Sequence, residues 1–157
     1  MIKITGAIII IAVSLCLGFS LSDGIKKRIS AIGSLAGFVD YVSNNIMLYK
    51  TPLEEIYAAV SDEFLIKSGF KDRLDAGVYT AAMEAGLISG DEEKEIIKEF
   101  SEKIGGGVAE DMVKLCTYTS SRLRSIGETL HRDYPDKRRV YHTVSFLVGA
   151  SAVIILF

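Results

Sequence analysis

The residues best suited to chemistry are few and scattered along the chain. Glu128-Thr129-Leu130-His131 has the Glu-x-x-His spacing that puts a carboxylate and an imidazole on one helical face, as carboxylate-bridged metal sites require. Such a site needs a second copy of the motif and further glutamates. This chain has one copy, so a membrane-tethered metal enzyme using Glu128 and His131 is the lesser alternative. Cys116 has no histidine partner in the pattern and falls on an apolar helical stripe, where a thiol behaves as a small core residue. His142 borders an apolar segment, where an imidazole with one wet edge is ordinary. Gly105-Gly106-Gly107 lacks the lysine and preceding strand of a phosphate loop and reads as a helix end. With no activated nucleophile, metal cluster or phosphate cradle, the expectation is a non-enzymatic protein with no cofactor and no metal.

The more telling pattern lies at the two ends. Residues 4–21 carry no charge, and residues 140–157 carry none apart from His142. A helix of about 18 residues is roughly 27 Å long, close to the hydrocarbon thickness of a bilayer. The first end includes the run Ile8-Ile9-Ile10-Ile11. The second is strongly apolar only over residues 143–157, about 22 Å, which puts Tyr141 and His142 in the interface. Basic clusters sit on the inner side of each end, Lys26, Lys27 and Arg28 after the first and Lys137, Arg138 and Arg139 before the second. Lys and Arg are retained on the cytosolic side of short spans, so these six residues set the topology. The expected domains are a transmembrane helix at 1–22, a cytosolic helical bundle at 23–139 and a C-terminal transmembrane helix at 140–157.

The rival reading is a secretory signal peptide followed by an exported or tail-anchored helical binding module. No clear small-x-small cleavage site follows Gly18-Phe19-Ser20, and export would put Lys137, Arg138 and Arg139 on the outer face, against the charge rule.

The chain has 157 residues with 20 acidic and 18 basic side chains. Every acid, and every base but Lys3, lies between residues 23 and 139, which leaves the middle mildly acidic and argues against a nucleic-acid surface. Its pattern is helical throughout. Ile29, Ile32, Ala36, Val39, Val42 and Ile46 recur at spacings of three and four and make one stripe, on a helix that can continue from the first span. Thr51-Pro52-Leu53-Glu54 reads as a capped helix start, followed by a face of Leu53, Ile56, Tyr57, Val60 and Phe64. Residues 70–87 read as one or two short helices with a weak point at Gly77. Ser89-Gly90-Asp91-Glu92 suggests a second capping box, with Ile96, Ile97, Phe100 and Ile104 inside and Gly105 to Gly107 as the stop. A long helix follows from about Ala109 to His131, broken or kinked at Tyr134-Pro135. Strand-like alternation is absent, so the expected fold is all-α, an antiparallel helical bundle between the terminal transmembrane helices.

Charge is unevenly spread over the last two of these helices. Residues 91–111 hold eight acids against three bases, and residues 114–139 hold seven bases against three acids. These segments either pair across a hairpin or offer separate docking faces. Glu92, Glu93, Arg122 and Arg124 are the expected exposed charges for binding a partner.

Several of these stretches resemble the stage III sporulation protein AB family of endospore-forming bacteria. The likeness rests on Met1-Ile2-Lys3-Ile4-Thr5-Gly6-Ala7, the Lys27-Arg28 flank and Ile46 through Thr51-Pro52-Leu53. Phe100 before Ile104-Gly105 and Tyr141 entering the last segment extend it over essentially the whole length. The chain departs from the family pattern at Val108 and Met112, where an aspartate and a glutamine are usual, and at Val144-Ser145. The resemblance implies a mother-cell membrane protein of the engulfment stage, in the cytoplasmic or outer forespore membrane, within a secretion-like channel complex joining mother cell and forespore. It also implies a cytosolic part similar to the helical domain of type II secretion and type IV pilus platform proteins. The implied partners are a secretion-type ATPase and other membrane subunits of the channel, with self-association left open.

Overall fold

Every regular element of the described residues is helical in this computed structural model. The order is α1 (Ile2–Tyr49), α2 (Leu53–Ala58), α3 (Glu63–Lys67), a 3-10 turn (Lys71–Ala76), α4 (Val78–Glu84), α5 (Asp91–Lys103) and α6 (Ala109–Leu156). The structure describes the backbone of residues 2–156; the side chains of residues 1–12, 14–22, 137–138, 142, 149, 152–153 and 155–157 lie outside the description. The chain divides into two units, Arg28–Thr129 and a second made of Met1–Lys27 with Leu130–Phe157.

In the unit Arg28–Thr129 the stripe of α1 is buried as its spacing requires. Ile32, Ala36, Val39, Val42 and Ile46 all lie in the core, with Leu35 beside them. Residue pairs running in opposite senses show that α6 lies antiparallel to α1. Arg124 meets Asp40, Ile46 and Met47 share a groove with Ala109 and Val113, and the Cα of Gly127 comes so near Ile32 that a β-carbon there would lie 3.5 Å from its Cγ2. The α5–α6 pair is antiparallel by the same criterion, since Glu92 meets Arg122 while Glu102 and Lys103 share a cavity with Met112 and Leu115.

The short elements fill the space beside this frame. Phe70 is fully buried and stands edge-on to Phe38 of α1, with ring centres 5.2 Å apart, a favoured aromatic geometry. Between the 3-10 turn and α4 the chain reverses at Gly77, whose φ of +99° is a conformation side-chain-bearing residues rarely adopt. α4 then packs on both the turn and α5, and the Tyr79 amide donates to Ser101 Oγ at 3.2 Å. α5 buries Ile96, Ile97 and Phe100 and carries Asp91, Glu92 and Glu93 in its first turn with Lys103 in its last, charges that suit the helix dipole. Truncating a fully buried phenylalanine such as Phe100 to alanine costs about 3–5 kcal/mol.

Several local expectations are corrected. Pro52, not Thr51, stands at the cap of α2, with φ −59° and ψ 146° and no side-chain cap bond. α2 stops after six residues, so the continuous face through Phe64 does not form; α3 is capped separately by Asp62, whose carboxylate accepts from the Leu65 amide at 2.9 Å. Leu65 is the buried residue of α3, and Phe64 is exposed. The cap of α5 falls one residue later than read, on Gly90 with Glu93 reaching back, because the first helical bond runs from the Lys94 amide to the Gly90 carbonyl. α6 runs through Pro135 without a break. One lost amide bond is outweighed there by the helical bonds on both sides.

The unit of Met1–Lys27 and Leu130–Phe157 contains one end of each long helix. Lys26 Nζ lies over the Tyr134 ring, 5.9 Å from its centre, at cation–π range. Among the described residues no helix is long and apolar enough to cross a membrane. Nearly all side chains of the span expected at 1–22 lie outside the described residues. In the span expected at 140–157, Val140, Val144, Phe146, Leu147, Val148 and Ile154 are at least half exposed.

Candidate functional site

The residues expected to bind partners gather where the first turn of α5 lies between α1 and α6. Two ion pairs between distant parts of the chain hold this turn, and a third joins α1 to α6 further along α1. Arg28 of α1 donates through Nε to Glu93 Oε1 at 2.7 Å, and its Nη2 lies 2.6 Å from the same oxygen. Arg122 of α6 reaches Glu92 at 2.9 Å. Arg124 of α6 pairs with Asp40 of α1. Together they tie α1, α5 and α6 to one another within the unit Arg28–Thr129.

Glu93 has no exposed surface. Its other oxygen, Oε2, accepts from the Ser89 amide at 3.0 Å and the Gly90 amide at 2.9 Å. Burial by itself raises a carboxyl pKa. Here the Gly90 amide, the Arg28 side chain and the Ser89 amide outweigh it and hold Glu93 below its ordinary value. Every group facing this carboxylate is a donor, so the pocket is built for an anion. Glu93 is therefore corrected from an exposed docking charge to an internal one, because its bonds close the start of α5 onto α1.

Glu92, Arg122 and Arg124 do reach solvent, though each is held by a partner. Arg122 Nη1 also donates to the Tyr118 hydroxyl at 2.8 Å, which leaves Tyr118 and Arg122 as an ordered, exposed pair beside Glu92. Tyr and Arg in such fixed positions are the side chains that most often anchor a protein partner. The hairpin expectation holds for Glu92 with Arg122. Most other α5 charges pair within their own helix, Lys94 with Asp91, Lys98 with Glu102 and Lys103 with Glu99.

The remaining residues singled out by sequence fall elsewhere. Lys27 and Arg139 are exposed, and the side chains of Lys137, Arg138 and His142 lie outside the described residues. Glu128 and His131 are exposed on α6, and among the described residues no group of three or more His, Cys, Asp or Glu is placed to hold a metal ion. Cys116 is fully buried, and burial, reinforced by the charge of Asp40, pushes its thiol up to about 11. Sequence reading missed Asp40, Tyr118 and the second task of Arg28. Asp40 left one signal, a lone carboxylate in the middle of the apolar stretch of α1.

Cavities elsewhere are lined by a mixture of core and surface residues. The largest described, about 490 Å³, lies between Glu54, Tyr57, Lys71, Asp72 and Asp75. Its Lys71 is already committed to the Val60 carbonyl at 2.9 Å, and burial, with a smaller contribution from Cys116, pushes the Tyr57 hydroxyl up to about 12.

A scan against protein-family profiles matches residues 3–72 and 79–157 to the family described as stage III sporulation protein AB. The chain belongs to that family. The unmatched stretch spans the end of the 3-10 turn and the reversal at Gly77. Comparison with curated proteins and with solved structures gives no match.

Proposed function

We propose that this member of the stage III sporulation protein AB family is a non-enzymatic platform in the mother cell. An apolar helix at each end holds it in the membrane, and the bundle lies on the cytosolic side. There it couples a secretion-type ATPase to the other membrane subunits of the channel between mother cell and forespore. Family membership carries this reading, and two features of the chain support it. The six basic residues from Lys26 to Arg28 and Lys137 to Arg139 all flank the apolar ends on their inner sides. The exposed apolar side chains between Val140 and Ile154 make a surface that lipid would cover and water would not. Two anchors also fix the orientation of a bundle, which suits an adaptor that transmits force. Glu92, Arg122 and Tyr118 form the face to which the ATPase docks.

Cysteines at exposed positions test the topology. Asn44→Cys or Glu95→Cys is expected to resist an impermeant thiol reagent in intact cells, whereas Phe157→Cys is labelled. Labelling of Glu95→Cys without permeabilisation overturns the arrangement. For the contact, the full chain in detergent is expected to retain the ATPase in a salt-sensitive manner, and Arg122→Glu to weaken that retention. Retention unchanged by Arg122→Glu removes this face from the contact.

A further inference from the structure

The last turn of α1 and the first turns of α6 enclose a groove of about 340 Å³ lined by Ile46, Met47, Lys50, Ala109, Glu110 and Val113, with Lys114 also at its wall. Around it Met47, Leu48, Tyr49 and Val108 each keep more than half of their surface exposed, an apolar patch that water covers poorly. Two further features set this end of the unit apart. Lys50 has a φ of +51°, the left-handed region where glycine is the usual occupant, so the chain keeps a lysine here against a backbone cost. Among the described residues Lys50 is also without a side-chain partner: every other Lys and Arg of the unit Arg28–Thr129 holds a carboxylate or a backbone carbonyl. Glu110, on the opposite wall, has no ion pair among the described residues either, while the neighbouring Lys114 and Asp111 satisfy each other at 3.5 Å.

We propose that this end of the bundle is the contact surface for a second copy of the chain. One unpaired cation and one unpaired carboxylate stand on the two walls of a single apolar groove, which makes the patch complementary to itself. A two-fold axis through the groove sets each Lys50 against the Glu110 of the other copy and covers Met47, Leu48 and Val108 at once. A different protein would have to supply both charges in the matching order, whereas a second copy supplies them automatically. The strained Lys50 follows from the same contact, since glycine would relax the backbone and lose the cation.

The full chain in detergent micelles, followed by sedimentation equilibrium over a concentration series, tests this. The protein mass is expected to rise from one chain to two. Lys50→Glu and Glu110→Lys are each expected to weaken dimerisation at least tenfold, and the double exchange to restore most of it. Lys50→Gly relieves the backbone and so stays folded, and it is expected to weaken dimerisation as well; circular dichroism checks the fold of each variant. A mass that stays at one chain throughout overturns the proposal and leaves the groove to a different protein. A dimer indifferent to Lys50→Glu and Lys50→Gly, or single reversals that the double exchange does not rescue, places the contact elsewhere and overturns it too.

Discussion

Replacing Glu93 by glutamine keeps size and shape almost unchanged, yet the geometry makes it a severe substitution. Glu93 Oε1 accepts from Arg28, and Oε2 accepts from the Ser89 and Gly90 amides. All its partners are donors. A glutamine can offer its carbonyl oxygen to one side only, and its amide group must then face donors on the other. Removing one member of a buried charge pair costs about 3–5 kcal/mol. Because one oxygen of the glutamine still accepts, the low end, about 3 kcal/mol, is the expected loss. In native-state hydrogen exchange on the full chain, that loss speeds exchange of the α5 amides by roughly 150-fold wherever exchange follows opening of this unit. A change below about fivefold refutes the reasoning, because the pocket would then tolerate a donor. Arg28→Lys supplies the companion arm: it keeps the positive charge but loses the planar fork, so it is expected to fall between wild type and Glu93→Gln. The sign with pH follows from the lowered pKa of Glu93, whose ordinary value is 4.5. Its contribution is fully present above about 4.5 and is lost as the pH falls from there through the lower value of the folded state, while Glu93→Gln shows no such loss.

Three further outcomes are expected. Gly90→Ala has ordinary backbone angles, φ −87° and ψ 153°, but its new methyl group runs into the Arg28 guanidinium, so a loss of about 1–2 kcal/mol in the same exchange experiment is expected, and none if Arg28 swings aside freely. At concentrations where the chain is a monomer, Lys50→Gly is expected to gain about 0.5–1 kcal/mol in thermal or denaturant unfolding, since glycine accepts the left-handed angle that lysine resists; a loss there would show that the lysine side chain itself supports the fold. Cys116, with its thiol near 11, presents roughly one thiolate in a thousand at pH 8, so an aromatic disulfide reagent is expected to label it only as fast as α6 opens, and rapid labelling would contradict its burial.

What could be read from the sequence was whatever neighbours along the chain decide by themselves. The stripe of α1 is a matter of spacing, and Gly77 and Gly105 are turns because their φ values of +99° and +90° suit glycine. The α2 start failed as a prediction because a proline with extended angles could serve as the cap without any side-chain bond, so Thr51 was not needed. Pro135 failed as a break because a helix of 48 residues supplies bonds on both sides of the one it loses. The candidate site was harder, since its pairs join residues far apart in the chain. Arg28 and Glu93 are separated by 65 positions, and Asp40 and Arg124 by 84. No local pattern distinguishes a glutamate that will face a guanidinium across the bundle from one that will face water. Read locally, Arg28 was a topology signal and Glu93 a docking charge; in the fold they are one latch, its carboxylate buried and its guanidinium partly exposed. That merger bears on how the membrane arrangement should be probed. Replacing Arg28 by a neutral residue removes a flanking charge and unlatches α5 together, so a change in topology or in activity after Arg28→Ala does not say which cause acted. Lys27 is exposed and holds no partner among the described residues, and Lys26 lies only over a tyrosine ring. Reversing those two lysines while Arg28 stays in place alters the charge balance across the apolar end and leaves the latch intact, so the topology rule and the stability of the bundle can be tested one at a time.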